Sequence, residues 1–224
     1  MIAKSFPLKQ YASVAFFLFT SLSFSQIEIS SKDESNFYKS IFYDYRGSNT
    51  VDVALGSSVI NGDLPNPIFE IYSHIGYKRF LFPHLNINVS YNKFNLAYKD
   101  IYNEGYMSFD LNMEFLMLPY QKFTPYVFFG GGYNASNYFN ETAFKAQGGI
   151  GIEQILADRL GVKLFADYNY VFTDELDRVV FGDSDDVYWR IGLGLNFYFG
   201  GNQKKEKLLE GIPTIINSNP IIPK

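Results

Sequence analysis

Between Tyr106 and Leu118 the chain alternates without a slip. Met107, Phe109, Leu111, Met113, Phe115 and Met117 hold the odd positions, and Ser108, Asp110, Asn112 and Glu114 the even ones, before Pro119 ends the run. A period of two over about a dozen positions predicts a strand whose two faces meet different surroundings. The pattern recurs, so that eight strands can be counted from Asn49 onward. Thr50–Ile60 sets Val51, Val53, Leu55 and Val59 on one face. Ile68–Arg79 sets Phe69, Ile71, Ile75 and Tyr77 against Glu70, Tyr72, His74 and Lys78. Leu85–Lys93 sets Leu85, Ile87, Val89 and Tyr91 against Asn86, Asn88, Ser90 and Asn92, an asparagine ladder foreign to a soluble core. The fourth strand is Tyr106–Leu118, and the fifth, Pro125–Asn134, has ambiguous parity because of Gly130-Gly131-Gly132. Ala143–Leu156 sets Phe144, Ala146, Ile150 and Ile152 against Lys145, Gln147 and Glu153. Gly161–Phe172 sets Val162, Leu164, Ala166, Tyr168 and Tyr170 against Lys163, Asp167 and Asn169, and Tyr188–Phe199 sets Trp189, Ile191, Leu193, Leu195, Phe197 and Phe199 against Arg190, Gly192, Gly194 and Asn196.

The connections give these strands an orientation. Those after the second, fourth and sixth strands are short, whereas Asn95–Gly105 and the acidic Thr173–Val187 read as long loops. Such alternation is expected of a barrel with short periplasmic turns and longer outward loops. Strands of this length exceed modestly the roughly 9–11 tilted residues that cross a bilayer. An even strand number closes the sheet and leaves no unpaired edge in lipid. The fold expected is all-β: an eight-stranded antiparallel up-and-down transmembrane β-barrel over residues 49–200, with both chain ends on the periplasmic side.

Composition supports that picture. Aromatic residues make up 19% of the 224, with 23 Phe and 18 Tyr against one Trp, as expected if they form girdles at two membrane interfaces. Cysteine is absent, which excludes a disulfide framework, a thiolate metal site and a cysteine nucleophile. Lys4 and Lys9, an apolar stretch from Tyr11 to Phe24, and Ser23 and Ser25 before Gln26 read as a cleaved signal peptide over residues 1–25. Loss of its two lysines takes the formal charge from −4 to −6, and an acidic chain without a basic patch argues against a nucleic-acid partner. Residues 26–48, with the aromatic knot Phe37, Tyr38, Phe42, Tyr43 and Tyr45, read as a periplasmic lead-in segment, and residues 201–224 as a periplasmic tail.

Thr124-Pro125-Tyr126-Val127-Phe128-Phe129-Gly130-Gly131-Gly132 and Trp189–Phe199 resemble the small eight-stranded outer-membrane barrels of the OmpA, OmpX and OmpW type, over about residues 49–200. The resemblance implies an outer-membrane location in a Gram-negative cell, with lipid and lipopolysaccharide around the wall. It also implies a barrel-assembly signal read by the assembly machinery, formed by Gly192, Phe197 and the terminal aromatic Phe199. In the simplest members that aromatic ends the chain, but here 25 residues follow. Lys204-Lys205-Glu206-Lys207, Gly211–Pro220 and Asp185–Arg190 are similar to barrels associated with curli-type fibre secretion, which implies a periplasmic or secretion-complex partner for residues 201–224.

The candidate chemistry lies on the polar faces, in Glu70, Lys78, Asp110, Glu114, Lys145, Glu153, Lys163, Asp167 and Arg190. An eight-stranded interior is only wide enough for side chains to fill, so these charges read as ion pairs plugging the lumen. His74 falls on the lumen face and His84 on a periplasmic turn, with no serine and acid beside either as a lipid hydrolase would need. The acidic loop with Asp174, Glu175, Asp177, Asp183, Asp185 and Asp186 does not match the regular calcium-loop spacing and reads as solvated. Gly130–Gly132 has no following Lys-Ser/Thr and is not a phosphate cradle. No cofactor, metal or catalytic residue is called for. The reading is a filled structural or accessory barrel acting through its loops and tail, ahead of a porin-like channel for small or hydrophobic solutes and of a lipid-modifying enzyme.

Overall fold

The computed structural model describes residues 32–62, 65–139, 142–173 and 186–210. Its eight long strands are β1 (Asn49–Asn61), β2 (Glu70–Phe82), β3 (Leu85–Tyr98), β4 (Tyr102–Leu116), β5 (Phe123–Ser136), β6 (Thr142–Ala157), β7 (Leu160–Val171) and β8 (Val187–Phe199). Each pairs antiparallel with its sequence neighbour, and β1 pairs with β8 from Asn49↔Phe199 to Asn61↔Val187, closing an up-and-down barrel. Helix α1 (Lys32–Tyr45) precedes the barrel and α2 (Asn202–Glu210) follows it. No helix among the described residues is long and apolar enough to cross a membrane.

The period-two pattern decides which way every side chain faces. Outward positions carry the apolar set: Leu55, Ile75, Leu111, Ile150 and Leu193 are all exposed, Leu111 by 57% and Ile150 by 66%. So much contiguous exposed hydrocarbon suits lipid and not water. Aromatic pairs border it at both ends. Tyr168 meets Trp189 at 4.9 Å and Tyr133 meets Phe144 at 5.3 Å at the end with the longer connections, and Tyr77 meets Phe199 at 6.4 Å at the other. The parity of β5 resolves with Tyr126, Phe128 and Asn134 inward and Phe129 and Tyr133 outward.

Two expectations need correction. The segment Asn95–Gly105 is not a loop: β3 and β4 remain paired out to Tyr98↔Tyr102, joined by a tight turn with Asp100 at φ +60°. Alternation fails there because Leu96, Ala97 and Tyr98 are all buried. A two-residue strand, Pro67–Ile68, pairs with Tyr98 and Ala97 beyond a break at Phe69. The aromatic residues also do not all go to the outer face. Tyr72, Phe80, Phe94, Tyr106, Tyr126, Phe128, Phe165, Tyr188 and Tyr198 point inward and are buried.

The lead-in segment, in turn, is structured. Tyr38, Phe42 and Tyr45 recur at helical spacing and place one face of α1 against the barrel mouth. Phe42 is fully buried and meets the Phe80 ring at 5.1 Å, while Tyr38 meets Tyr120 at 6.0 Å. The chain then passes so close to the end of β8 that a Cβ on Gly47 would lie 2.2 Å from the Phe199 carbonyl oxygen, which only glycine permits. The expected signal peptide, the acidic residues from Asp174 to Asp185 and the tail beyond Glu210 lie outside the described residues.

Candidate functional site

The lumen gathers most of the buried charge among the described residues, and the strands set it in levels. Inward positions along β7 read Val171, Asn169, Asp167, Phe165 and Lys163 from the loop end to the helix end, and those along β4 read Tyr106, Ser108, Asp110, Asn112, Glu114 and Leu116. Apolar and aromatic residues therefore close the loop end, with charge below them.

At the loop end Phe94 stacks on Tyr188 at 5.0 Å and on Tyr106 at 6.0 Å, over buried Ile60, Leu96 and Val171. Below this cap the Arg190 guanidinium donates to both Asp167 oxygens, through Nε at 2.9 Å and Nη2 at 3.0 Å, and to Asp110 Oδ2 at 3.1 Å. The rings of Tyr72 and Tyr188 lie 5.1 and 5.8 Å from it, so the planar cation is both paired and stacked. Lys145 donates to Asp110 at 3.0 Å, Gln147 Oε1 at 2.8 Å and Asn169 Oδ1 at 2.7 Å.

Phe165, Phe128 and Tyr72 form a ring layer beneath, fitted over inward glycines: a Cβ on Gly192 would lie 2.6 Å from Phe165 Cζ. The second charged level follows. Asp52 binds Lys163 and, at 2.7 Å, His74 Nε2, and Lys78 binds Glu114 at 2.8 Å with Asn88 donating to the same carboxylate at 2.8 Å. His74 ties the two levels together, because its Nδ1 lies 2.7 Å from Asn92 Oδ1 while Asn92 Nδ2 donates to Asp110 at 2.9 Å. The cavity left among these groups measures about 20 Å³, room for about one water molecule.

At the helix end Glu153 accepts from Asn196 at 2.5 Å, from the Tyr198 hydroxyl, and from Arg46 Nε at 2.7 Å. Arg46, fully buried, also donates through Nη1 to the carbonyls of Pro119 at 2.7 Å and Gln121 at 2.9 Å. The residue that follows α1 thus seals the mouth.

Eight of the nine lumen charges named from the sequence meet in these clusters. Glu70 does not: as the first residue of β2, at the loop-end rim, it is half-buried and accepts from Asn103 at 3.3 Å. Sequence reasoning missed Asp52 and Arg46. With them, five acids (Asp52, Asp110, Glu114, Glu153, Asp167) face five bases (Arg46, Lys78, Lys145, Lys163, Arg190), with His74 between. Asp52 had a signal, since it alternates with Val51 and Val53 in β1, whereas Arg46 lay in a stretch with no strand period to place it. Of the residues read as an assembly signal, Phe197 and Phe199 face outward on β8, and Gly192 lies inward beneath Phe165. His84 sits at the β2–β3 turn, its Nδ1 2.8 Å from the Leu116 carbonyl oxygen and its ring 5.6 Å from that of Phe115.

No protein-family model matches the chain, and no curated protein sequence resembles it. Among solved structures, Neisserial surface protein A superposes with a TM-score of 0.58 at 12% identity, covering 68% of this chain and 98% of that one. The outer membrane protein OprG of Pseudomonas aeruginosa gives 0.47 at 10% identity over 70% and 99%, and the N-terminal β-barrel domain of OprF from the same organism gives 0.44 at 17% over 69% and 100%. The likeness to the Neisserial protein is one of fold: this chain is built as the small eight-stranded outer-membrane barrels are.

Proposed function

We propose that this protein is a non-conducting barrel of the outer membrane, a structural or accessory component that works through the elements projecting from its two ends. The observation that carries the reading is the lumen, closed at one mouth by Phe94, Tyr106 and Tyr188, at the other by Arg46 and Phe42, and filled between with paired charges. A solute path would have to break several buried ion pairs at once, each worth keeping only while intact. His74 lies inside the filled lumen and His84 at the helix-end turn, so neither stands on the outer face at the loop end, where an enzyme acting on outer-leaflet lipid would need one. In planar bilayers the purified protein is expected to conduct ions poorly, and steady, large single-channel currents would overturn the reading in favour of a channel.

A place in a curli-type secretion assembly is the finer form of this reading, and its support is the sequence similarity of Asp185–Arg190 and the tail. Because α2 docks on α1 through Lys205 and Asp44 at 2.5 Å, the chain should be truncated after Glu210 and not after Gly201, sparing the docked helix. A barrel that still folds but loses a co-purifying periplasmic partner supports docking by the tail. One whose partners and abundance are unchanged removes that role.

A further inference from the structure

The lipid-facing belt ends at the helix-bearing rim in a group of cations that the lumen does not use. Asn49 stands opposite both Arg79 and Phe199, so β2, β1 and β8 reach this rim at one level. Arg79 Nη1 donates to Asn49 Oδ1 at 2.5 Å, and the Tyr77 hydroxyl donates to the same oxygen at 2.8 Å. Next along the rim, Arg159 donates through Nη1 to the Gly200 carbonyl at 2.7 Å and through Nη2 to Asn202 Oδ1 at 2.8 Å. Lys204 lies 6.0 Å from the centre of the Tyr43 ring, whose phenol also feels the charge of Arg79. Arg79, Arg159 and Lys204 therefore gather around the turn at Gly200 and Gly201. Their partners are amides, a carbonyl and a ring, and among the described residues none of the three is ion-paired with a carboxylate, unlike neighbouring Lys205 with Asp44.

We propose that this cluster holds the phosphodiester headgroup of an anionic phospholipid in the leaflet on the helix-bearing side. The proposal rests on the outer-membrane reading of the outward belt. Two observations name the occupant. The cations continue directly from Tyr77 and Phe199, an aromatic pair of the kind that marks the interface where headgroups begin. A guanidinium has five N–H donors, so Arg79 and Arg159 keep some beyond these bonds, and without a carboxylate beside them their charge is left for a phosphate to neutralise. On the other side of the same rim Lys122 lies over the Tyr45 ring at 5.6 Å, where the neighbouring Arg46 is buried and already paired with Glu153.

The test reconstitutes the full chain into phosphatidylcholine vesicles. Spin-labelled phosphatidylglycerol and phosphatidylcholine then report the relative association of each lipid with the barrel. The intact protein should favour phosphatidylglycerol several-fold. The pair Arg79→Gln and Lys204→Gln, both exposed side chains, should bring that preference close to one, while Lys122→Gln leaves it unchanged. Equal association of the two lipids with the intact protein, or a preference that survives the paired substitution or falls equally with Lys122→Gln, would overturn the headgroup site while leaving the barrel reading intact. Failure of the intact chain to enter vesicles at all would overturn both.

Discussion

Arg46 and Glu153 are separated by 107 positions in sequence and meet at 2.7 Å where α1 enters the barrel. The pair fixes a helix to a wall it is joined to only through a short segment, and it does so where neither charge reaches water. Removing one partner of a buried pair is far more damaging than the pair is stabilising, because the other is left uncompensated.

Arg46→Ala should therefore cost about 3–5 kcal/mol, read as a lower urea midpoint of the barrel in detergent micelles. Adding Glu153→Gln to that variant should recover part of the loss. An unchanged midpoint for Arg46→Ala would mean that Asn196 and Tyr198 alone satisfy Glu153.

Glycines on the two faces of the wall should differ sharply. A Cβ at inward Gly194 would lie 2.2 Å from the backbone oxygen of Val53, whereas one at outward Gly148 would come no nearer than 3.7 Å to any neighbour. Gly194→Ala is expected to abolish the heat-modifiable folded band on gels, and Gly148→Ala to leave it intact. Equal behaviour would contradict the inward placement of Gly194.

Leu111→Arg puts a charge on the lipid face near mid-strand, where it costs about 2–4 kcal/mol. Insertion into vesicles should fall accordingly, with Leu111→Ile behaving as the parent. Efficient insertion of the arginine variant would mean that residue 111 does not meet lipid.

Outside the wall, burial holds the Tyr43 phenol above its ordinary value of 10.0, with Arg79 pulling the other way. The unfolded chain ionises first, so the stability this neutral phenol contributes is complete below pH 10 and is lost as pH rises through the folded value. Difference ultraviolet titration against Tyr43→Phe should place the transition above 10, and Arg79→Gln should move it higher. A transition at or below 10 would mean that α1 and α2 leave Tyr43 open to water.

The wall could be read from the chain because lipid and a filled lumen impose strict alternation, as in Met107–Met117 against Ser108–Glu114. Legibility stopped where that contrast stopped. Past the bilayer, Leu96, Ala97 and Tyr98 are buried together, so a strand looked like a loop. The helix α1 carried its own period in Tyr38, Phe42 and Tyr45, but a short aromatic-rich stretch ahead of a barrel gives no hint that it folds back over the mouth. Parity assigns Glu70 to the inward face and says nothing of how far along the strand the lumen extends.

The β1–β8 pairing has a consequence for how the chain can fold. Every other pairing between the eight long strands joins sequence neighbours and can form as a local hairpin, but Asn49 finds Phe199 only after the whole intervening chain is in place. The cost of closing that loop falls on the last strand. A chain cut before β8 is therefore not a slightly smaller barrel: it is an open sheet with two raw edges that hydrocarbon does not tolerate. Acquisition of the folded barrel should be all-or-none in chain length, switching on only when the final strand is present.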